Sequence, residues 1–147
     1  MRILQGKSIH IPQVHKLILA LAVFEREPKA VINTPLQMEQ DYENGLFDFI
    51  VSVNEEENVI GFALYYWRYS TWKGKSFYLE DFFVQKDYRS KGIGKELFEE
   101  CLRIAKLESC SQINWQVLEW NKRAISFYEN IGAEISTEWY NGTIPLT

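Results

Sequence analysis

At 147 residues, 46% of them hydrophobic and 15% aromatic, the chain suits one compact domain that buries a core without disulfides or metal. Twenty acidic against sixteen basic residues give a formal charge of −4, and no Lys/Arg cluster overrides it, so nucleic acid is not an expected partner. No stretch approaches the roughly 20 apolar residues that span a bilayer, which excludes a membrane helix.

The first predicted element is a helix from Pro12 to Arg26, where Val14, Leu17, Ile18, Leu21 and Phe24 recur at helical spacing. Its apolar run Leu17–Phe24 has no small-residue cleavage site and leads straight into Glu25-Arg26-Glu27. It therefore reads as core helix, not secretory signal, and a cytoplasmic protein is expected. Pro28 stops the helix. The second helix has Thr34 as cap, Pro35 at the first helical position, Gln37 to complete a capping box, and Asn44-Gly45 as its stop.

The period then changes. Phe47–Val53 and Val59–Tyr69 are rich in β-branched and aromatic residues around the polar turn Glu55–Asn58, a hairpin pattern. A second turn, Thr71–Lys75 with Gly74, leads into a third antiparallel strand, Ser76–Val84. A glycine-bearing loop, Tyr88–Gly94, opens a helix through about Glu108, with Leu97, Phe98, Cys101, Leu102 and Ala105 on one face. Ile113–Leu118 reads as a short strand, and a helix runs from Asn121 through Ile131 to Gly132. Ala133–Trp139 and Thr143–Leu146 read as closing strands. This order predicts an α/β fold: a mixed, mostly antiparallel central sheet flanked by helices, with one parallel crossover.

Cys101 and Cys110 are isolated thiols with no C-x-x-C pair, and Cys101 on its apolar face reads as a buried free thiol. His10 and His15 lie away from any acidic cluster, so neither a metal site nor a Ser–His–Asp triad has candidates.

The chemistry concentrates at Tyr88-Arg89-Ser90-Lys91-Gly92-Ile93-Gly94, a loop feeding a helix N-terminus. Such a terminus presents unpaired backbone N–H groups and the positive end of the helix dipole. Gly92 and Gly94 allow close approach and Arg89 or Lys91 can add charge, which suits a pyrophosphate; a plain helix-initiating turn is the alternative. A dinucleotide fingerprint needs a third glycine where Leu97 stands. A P-loop needs a hydroxyl where Glu96 follows Gly94-Lys95. Neither fits.

Arg89-Ser90-Lys91-Gly92-Ile93-Gly94 resembles the Arg/Gln-x-x-Gly-x-Gly/Ala motif of GNAT acetyltransferases. Tyr78-Leu79-Glu80-Asp81-Phe82-Phe83-Val84, Glu119-Trp120-Asn121, Phe127-Tyr128 with Gly132-Ala133, Gly61-Phe62-Ala63-Leu64-Tyr65-Tyr66 and Trp72-Lys73-Gly74-Lys75 are similar to the diamine (spermidine/spermine) branch. The resemblance spans nearly the whole chain, residues 1–147 as a single acetyltransferase domain, and is weakest over the first thirty and last ten residues.

The resemblance implies acetyl-CoA as donor and a small primary amine as acceptor. Phe82, Phe83 and Val84 would bind the pantetheine arm through their backbone. Arg89, Ser90, Lys91, Gly92, Ile93, Gly94 and Lys95 would hold the pyrophosphate, with Asn121, Lys122, Arg123 and Ala124 on the other side of coenzyme A. Glu25, Glu80, Asp81, Asn114, Trp115 and Gln116 would face the substrate. Tyr128 would protonate the leaving thiolate, with an interfacial core aromatic as the alternative. Members of the branch are commonly homodimers.

An amine with a pKa of about 10.4 must shed a proton before attack. Glu80 is placed to take it, directly or through water, although half of a structural ion pair is the alternative. Strand alternation puts Asp81 on the opposite face. The chain departs from the branch at Ser70, where an aspartate usually precedes the Trp72 turn, and in a shorter tail around Glu138 and Trp139. Two other readings stand beside amine acetylation: a protein N-acetyltransferase, and a non-catalytic acyl-CoA sensor. Retention of Glu80 and Tyr128 argues against the sensor.

Overall fold

The computed structural model describes residues 1–147, which divide into two compact units, Met1–Trp115 and Gln116–Thr147. The first unit holds a five-stranded sheet in chain order: β1 (Arg2–Gln5), β2 (Asp48–Val53), β3 (Val59–Ser70), β4 (Gly74–Val84) and β5 (Gln112–Asn114). Neighbours pair antiparallel up to β4, and β4–β5 is the one parallel pair. That parallel step needs a crossover, which α3 (Ile93–Leu107) supplies.

Alternation along β2 and β3 sorts the core into two layers. Phe49, Val51, Val53, Phe62 and Leu64 meet Ile11, Val14 and Leu17 of α1 (Ile11–Phe24) and Met38 of α2 (Pro35–Glu43). On the other face α3 buries Ile93, Leu97, Phe98, Cys101 and Ala105. A Cβ on Gly61 would stand 3.2 Å from Leu97 Cδ1 and from the Phe83 carbonyl, so glycine lets α3 lie close to the sheet. Burial pushes the Cys101 thiol up to about 12, the behaviour of an inert core thiol.

Both N-terminal helices keep their expected ends. Arg26 takes φ 67 after α1, and Glu27 N–H returns to the Ala22 carbonyl at 2.9 Å, so the chain reverses before Pro28. Thr34 Oγ1 accepts from Gln37 N–H at 3.2 Å, but the Gln37 amide donates to Asp41 instead of closing a capping box. No helix is long and apolar enough to cross a membrane.

Three expectations are corrected. A strand precedes α1: Arg2–Gln5 pairs with β2 in the register Arg2↔Val53. The strand expected over Ile113–Leu118 is confined to Gln112–Asn114, which pairs with Ser76–Tyr78 of β4, and the chain leaves the ladder after Asn114 although β4 continues to Val84. Ala133–Trp139 and Thr143–Leu146 form no strands; their alternating residues enter no ladder, and Trp139 is 84% exposed. Strand propensity is expressed only where a neighbouring edge satisfies the backbone. The second unit's regular element is α4 (Lys122–Asn130).

Candidate active site

The centre of β4 carries an irregularity that sets the site. Leu64 pairs with Asp81 and Tyr65 with Leu79, so Glu80 is an extra residue, a β-bulge. Counting forward by twos from Tyr78 reaches Glu80, and counting back by twos from Phe83 reaches Asp81. The bulge therefore turns both carboxylates toward the α1 face, where strict alternation had predicted opposite faces. Glu80 is exposed, and its Oε1 accepts from the Tyr66 hydroxyl at 3.2 Å. Tyr66 packs on Tyr78 with ring centroids 5.3 Å apart, and Arg68 lies 5.0 Å over the Tyr78 ring.

Asp81 is more enclosed. Burial first, then the Glu80 and Glu25 carboxylates, raise its pKa to about 6. Glu25 caps the C-terminus of α1 and is itself raised by burial. Three predicted substrate-side acids, Glu25, Glu80 and Asp81, are thus brought together from two elements. Tyr66 and Tyr78 were not among the sequence candidates. The hairpin register carries that signal, since it sets Tyr66 opposite Tyr78, two residues before Glu80.

Beyond Tyr78, β4 runs on without a partner in β5, because the parallel pairing ends at Tyr78↔Asn114. Phe82, Phe83 and Val84 occupy this stretch. Phe82 meets the edge of Phe98 on α3 with centroids 5.9 Å apart, while Phe83 is buried in the α1 layer.

A 3-10 turn over Lys86–Tyr88 then leads to the glycine-bearing loop. Arg89 is extended, Ser90 takes φ 62 and Gly92 φ 83, after which α3 begins. Gly92 provides no side-chain cap for the first N–H groups of α3, and a Cβ added there would meet nothing within 4 Å. The first turn, with Ile93, Gly94 and Lys95, keeps its N–H groups available for an anion. Lys91 Nζ lies 5.4 Å over the Tyr88 ring, and Lys95 is 3.9 Å from Glu99 along the helix. Arg89 has a different setting from the one its charge suggested. Its Nε donates to the Val84 carbonyl at 2.8 Å, and its guanidinium lies 5.1 Å over Phe83 and 5.4 Å over Phe24.

The remaining candidates lie on β5 and in the second unit. Asn114 closes the β5 ladder, and Trp115 meets the edge of Phe98 with centroids 5.4 Å apart. Within the second unit, Gln116 Nε2 donates to Asn141 Oδ1 at 2.8 Å. Asn121 caps α4, its Oδ1 accepting from Ala124 N–H at 3.2 Å, while Lys122 and Arg123 are exposed in the first turn. Tyr128 is 7% exposed and meets Phe127 edge-on with centroids 5.5 Å apart.

The chain is similar to several known proteins. The chain is 32% identical over 146 residues to thialysine N-epsilon-acetyltransferase of Mus musculus, covering 93% of this chain and 86% of that one. The Bos taurus counterpart is 46% identical over 80 residues, 54% of this chain and about half (47%) of that protein. Spermidine/spermine N(1)-acetyltransferase-like protein 1 of Homo sapiens is 34% identical over 136 residues, 86% of this chain and 20% of that protein. Among solved structures, an aminoglycoside acetyltransferase from an uncultured soil metagenomic sample superposes with TM-score 0.83 at 17% identity, covering 98% of this chain and 96% of that one, a likeness of fold. A sequence model of the acetyltransferase (GNAT) family matches residues 13–133, from the first helix through the end of α4, and the chain belongs to that family.

Proposed function

We propose that this chain moves the acetyl group of acetyl-CoA onto a primary amine of a small cationic substrate, a short diamine or a lysine-like amino acid. The observation that carries the reading is the convergence of Glu25, Glu80 and Asp81 on one face of β4, beside the stretch that β5 leaves unpaired. An ammonium is attracted there. The names of the mouse, bovine and human relatives, which speak of thialysine and of polyamines, support the same substrate class.

The chain's own groups fit acetyl-CoA. Gly92 leaves open space at the head of α3, and the first N–H groups of that helix suit a pyrophosphate. Phe82–Val84 offer a strand edge to an extended amide chain. Bound there, acetyl-CoA supplies an acetyl thioester ready for direct attack. The carboxylates orient the amine and take its proton, while the Tyr128 hydroxyl holds a proton for the departing sulfur. No nucleophilic side chain is required, in keeping with the buried, weakly acidic Cys101 thiol.

The whole chain serves as one catalytic domain. The family match crosses the boundary between the two units, and a segment as short as Gln116–Thr147 is below the size that folds alone. The protein works in the cytoplasm as a homodimer. Free Cys101 and Cys110 suit a reducing compartment, and exposed Trp139, Tyr140, Ile144 and Leu146 suit an interface between copies.

The test is coenzyme A release from acetyl-CoA with thialysine, lysine, ornithine, putrescine, spermidine and spermine. Turnover of a diamine or lysine-like amine is expected. Release only with peptides would make it a protein acetyltransferase. Acetyl-CoA binding without release for any amine would make it a sensor.

A further inference from the structure

We infer that Asp81, not Glu80, is the side chain that accepts the proton from the substrate ammonium. This rests on the proposed acetyl transfer to an amine and assigns one role within it. The residue order Glu80-Asp81 leaves the choice open, because alternation admits one inward carboxylate and the sequence offers two in a row. The bulge removes that restriction by turning both to the α1 face, and their surroundings then separate them.

Glu80 is exposed, and one of its oxygens is engaged by the Tyr66 hydroxyl. It is suited to holding a cation from the solvent side. Asp81 sits deeper, opposite buried Leu64 and two residues before buried Phe83. The charges facing it are alike: Glu80 on its own strand and Glu25 at the end of α1. Arg89 stacks on Phe24 and Phe83 and donates to the Val84 carbonyl, while Arg68 lies over Tyr78. Asp81 thus carries a partly desolvated charge among carboxylates, and its pKa of about 6 is that of a base matched to neutral pH.

The proton transfer balances simply. An N–H bond of the bound ammonium breaks, an O–H bond forms on Asp81, and nitrogen keeps the electron pair it uses on the acetyl carbon. The carboxyl proton returns to water after turnover. The same surroundings give a signature independent of turnover. A carboxyl group whose folded pKa is raised stabilises the fold most at low pH. That contribution is lost as pH rises through about 6, so at pH 7 to 8 the ionised Asp81 is a burden on the fold.

The experiment compares kcat/KM against pH for wild type, Asp81→Asn, Glu80→Gln and Glu25→Gln at saturating acetyl-CoA, with thermal melts of each from pH 5 to 8. In wild type, kcat/KM should climb through about pH 6 to a plateau, because that ratio reports the free enzyme. Asp81→Asn should lose this limb and about a hundredfold in kcat, the scale of a general base. Its Tm at pH 7.5 should equal or exceed that of wild type, with the difference shrinking toward pH 5. Glu25→Gln should move the limb to lower pH by removing a like charge, and Glu80→Gln should keep a limb, also shifted down. An Asp81→Asn enzyme that keeps the limb, or a Glu80→Gln enzyme that loses it, overturns the assignment. Should Asp81→Asn fail to fold, a limb that stays in place in Glu25→Gln overturns it equally. A wild type silent toward every amine refutes the functional reading and this inference with it, an outcome distinct from an active enzyme with a misplaced limb.

Discussion

The Arg89 Nε donates to the Val84 carbonyl at 2.8 Å, so the motif's arginine ties the glycine-bearing loop to the end of the strand that precedes it. Its guanidinium also lies over Phe83 of β4 and Phe24 of α1, the residue next to Glu25. One side chain thereby contacts the loop, the strand and the end of the helix that Glu25 caps. We expect Arg89 to act by positioning these elements, through its planar group more than through its charge.

The consequence is testable by comparing Arg89→Lys with Arg89→Gln. If the arginine acted as a phosphate counter-charge, lysine would replace it and glutamine would not. We expect both variants to raise KM for acetyl-CoA by about tenfold, the effect of losing one charge-assisted hydrogen bond of roughly 1.5–3 kcal/mol, with kcat changed less. Full recovery in Arg89→Lys would refute the positioning role.

Gly92 should be intolerant of any side chain. At φ 83 an alanine is strained by roughly 1–2 kcal/mol even though its Cβ would meet no protein atom. Gly92→Val should be worse, since a branched side chain also fills the space in front of the first turn of α3. Titration calorimetry with acetyl-CoA should show weakened binding by a protein that still folds. Unchanged affinity in a folded Gly92→Val variant counts against this loop as the pyrophosphate site.

Tyr128→Phe removes one hydroxyl and keeps the buried ring and its edge contact with Phe127. Melting temperature and acetyl-CoA affinity should hold. The chemical step should slow by about a hundredfold, the scale of a lost general acid, in single-turnover measurements that exclude product release. A wild-type single-turnover rate would leave Tyr128 as a core aromatic.

Ser70 has a structural duty. Its Oγ accepts from the N–H groups of Trp72 and Lys73 at 3.2 and 3.0 Å, closing the β3–β4 turn. An aspartate can accept the same two hydrogen bonds, so Ser70→Asp should fold normally. The added carboxylate should shift preference toward spermine, by more than tenfold if it gains one charge-assisted contact of roughly 1.5–3 kcal/mol. Equal ranking of spermine, spermidine and putrescine in both enzymes would show that position 70 does not set specificity.

What the sequence made legible depended on how local the determinant was. The glycine-bearing turn into α3 needed only glycine at a left-handed position before a helix, and Gly92 is that residue. The α1 and α3 faces follow from spacing within one segment. The shared face of Glu80 and Asp81 was hidden, because it depends on which β3 residue each β4 residue opposes. Arg2–Gln5 was hidden for a related reason: four residues carry little period, and their partner β2 lies across α1 and α2. Ala133–Trp139 shows the converse, a strand-like pattern that enters no ladder.

The bulge at Glu80 also makes that position the one place in the β3–β4 hairpin where the chain could lose a codon without changing side. Removing a residue elsewhere in a strand flips everything beyond it to the other face. Removing Glu80 joins the pair Tyr65↔Leu79 directly to Leu64↔Asp81 and leaves the ladder regular. Phe82 would still meet α3, and Phe83 would still face α1. Only the partner of the Tyr66 hydroxyl would be gone. A variant lacking Glu80 should therefore fold, with Asp81 still turned toward α1, so at this position the architecture is independent of the exposed carboxylate inserted into it.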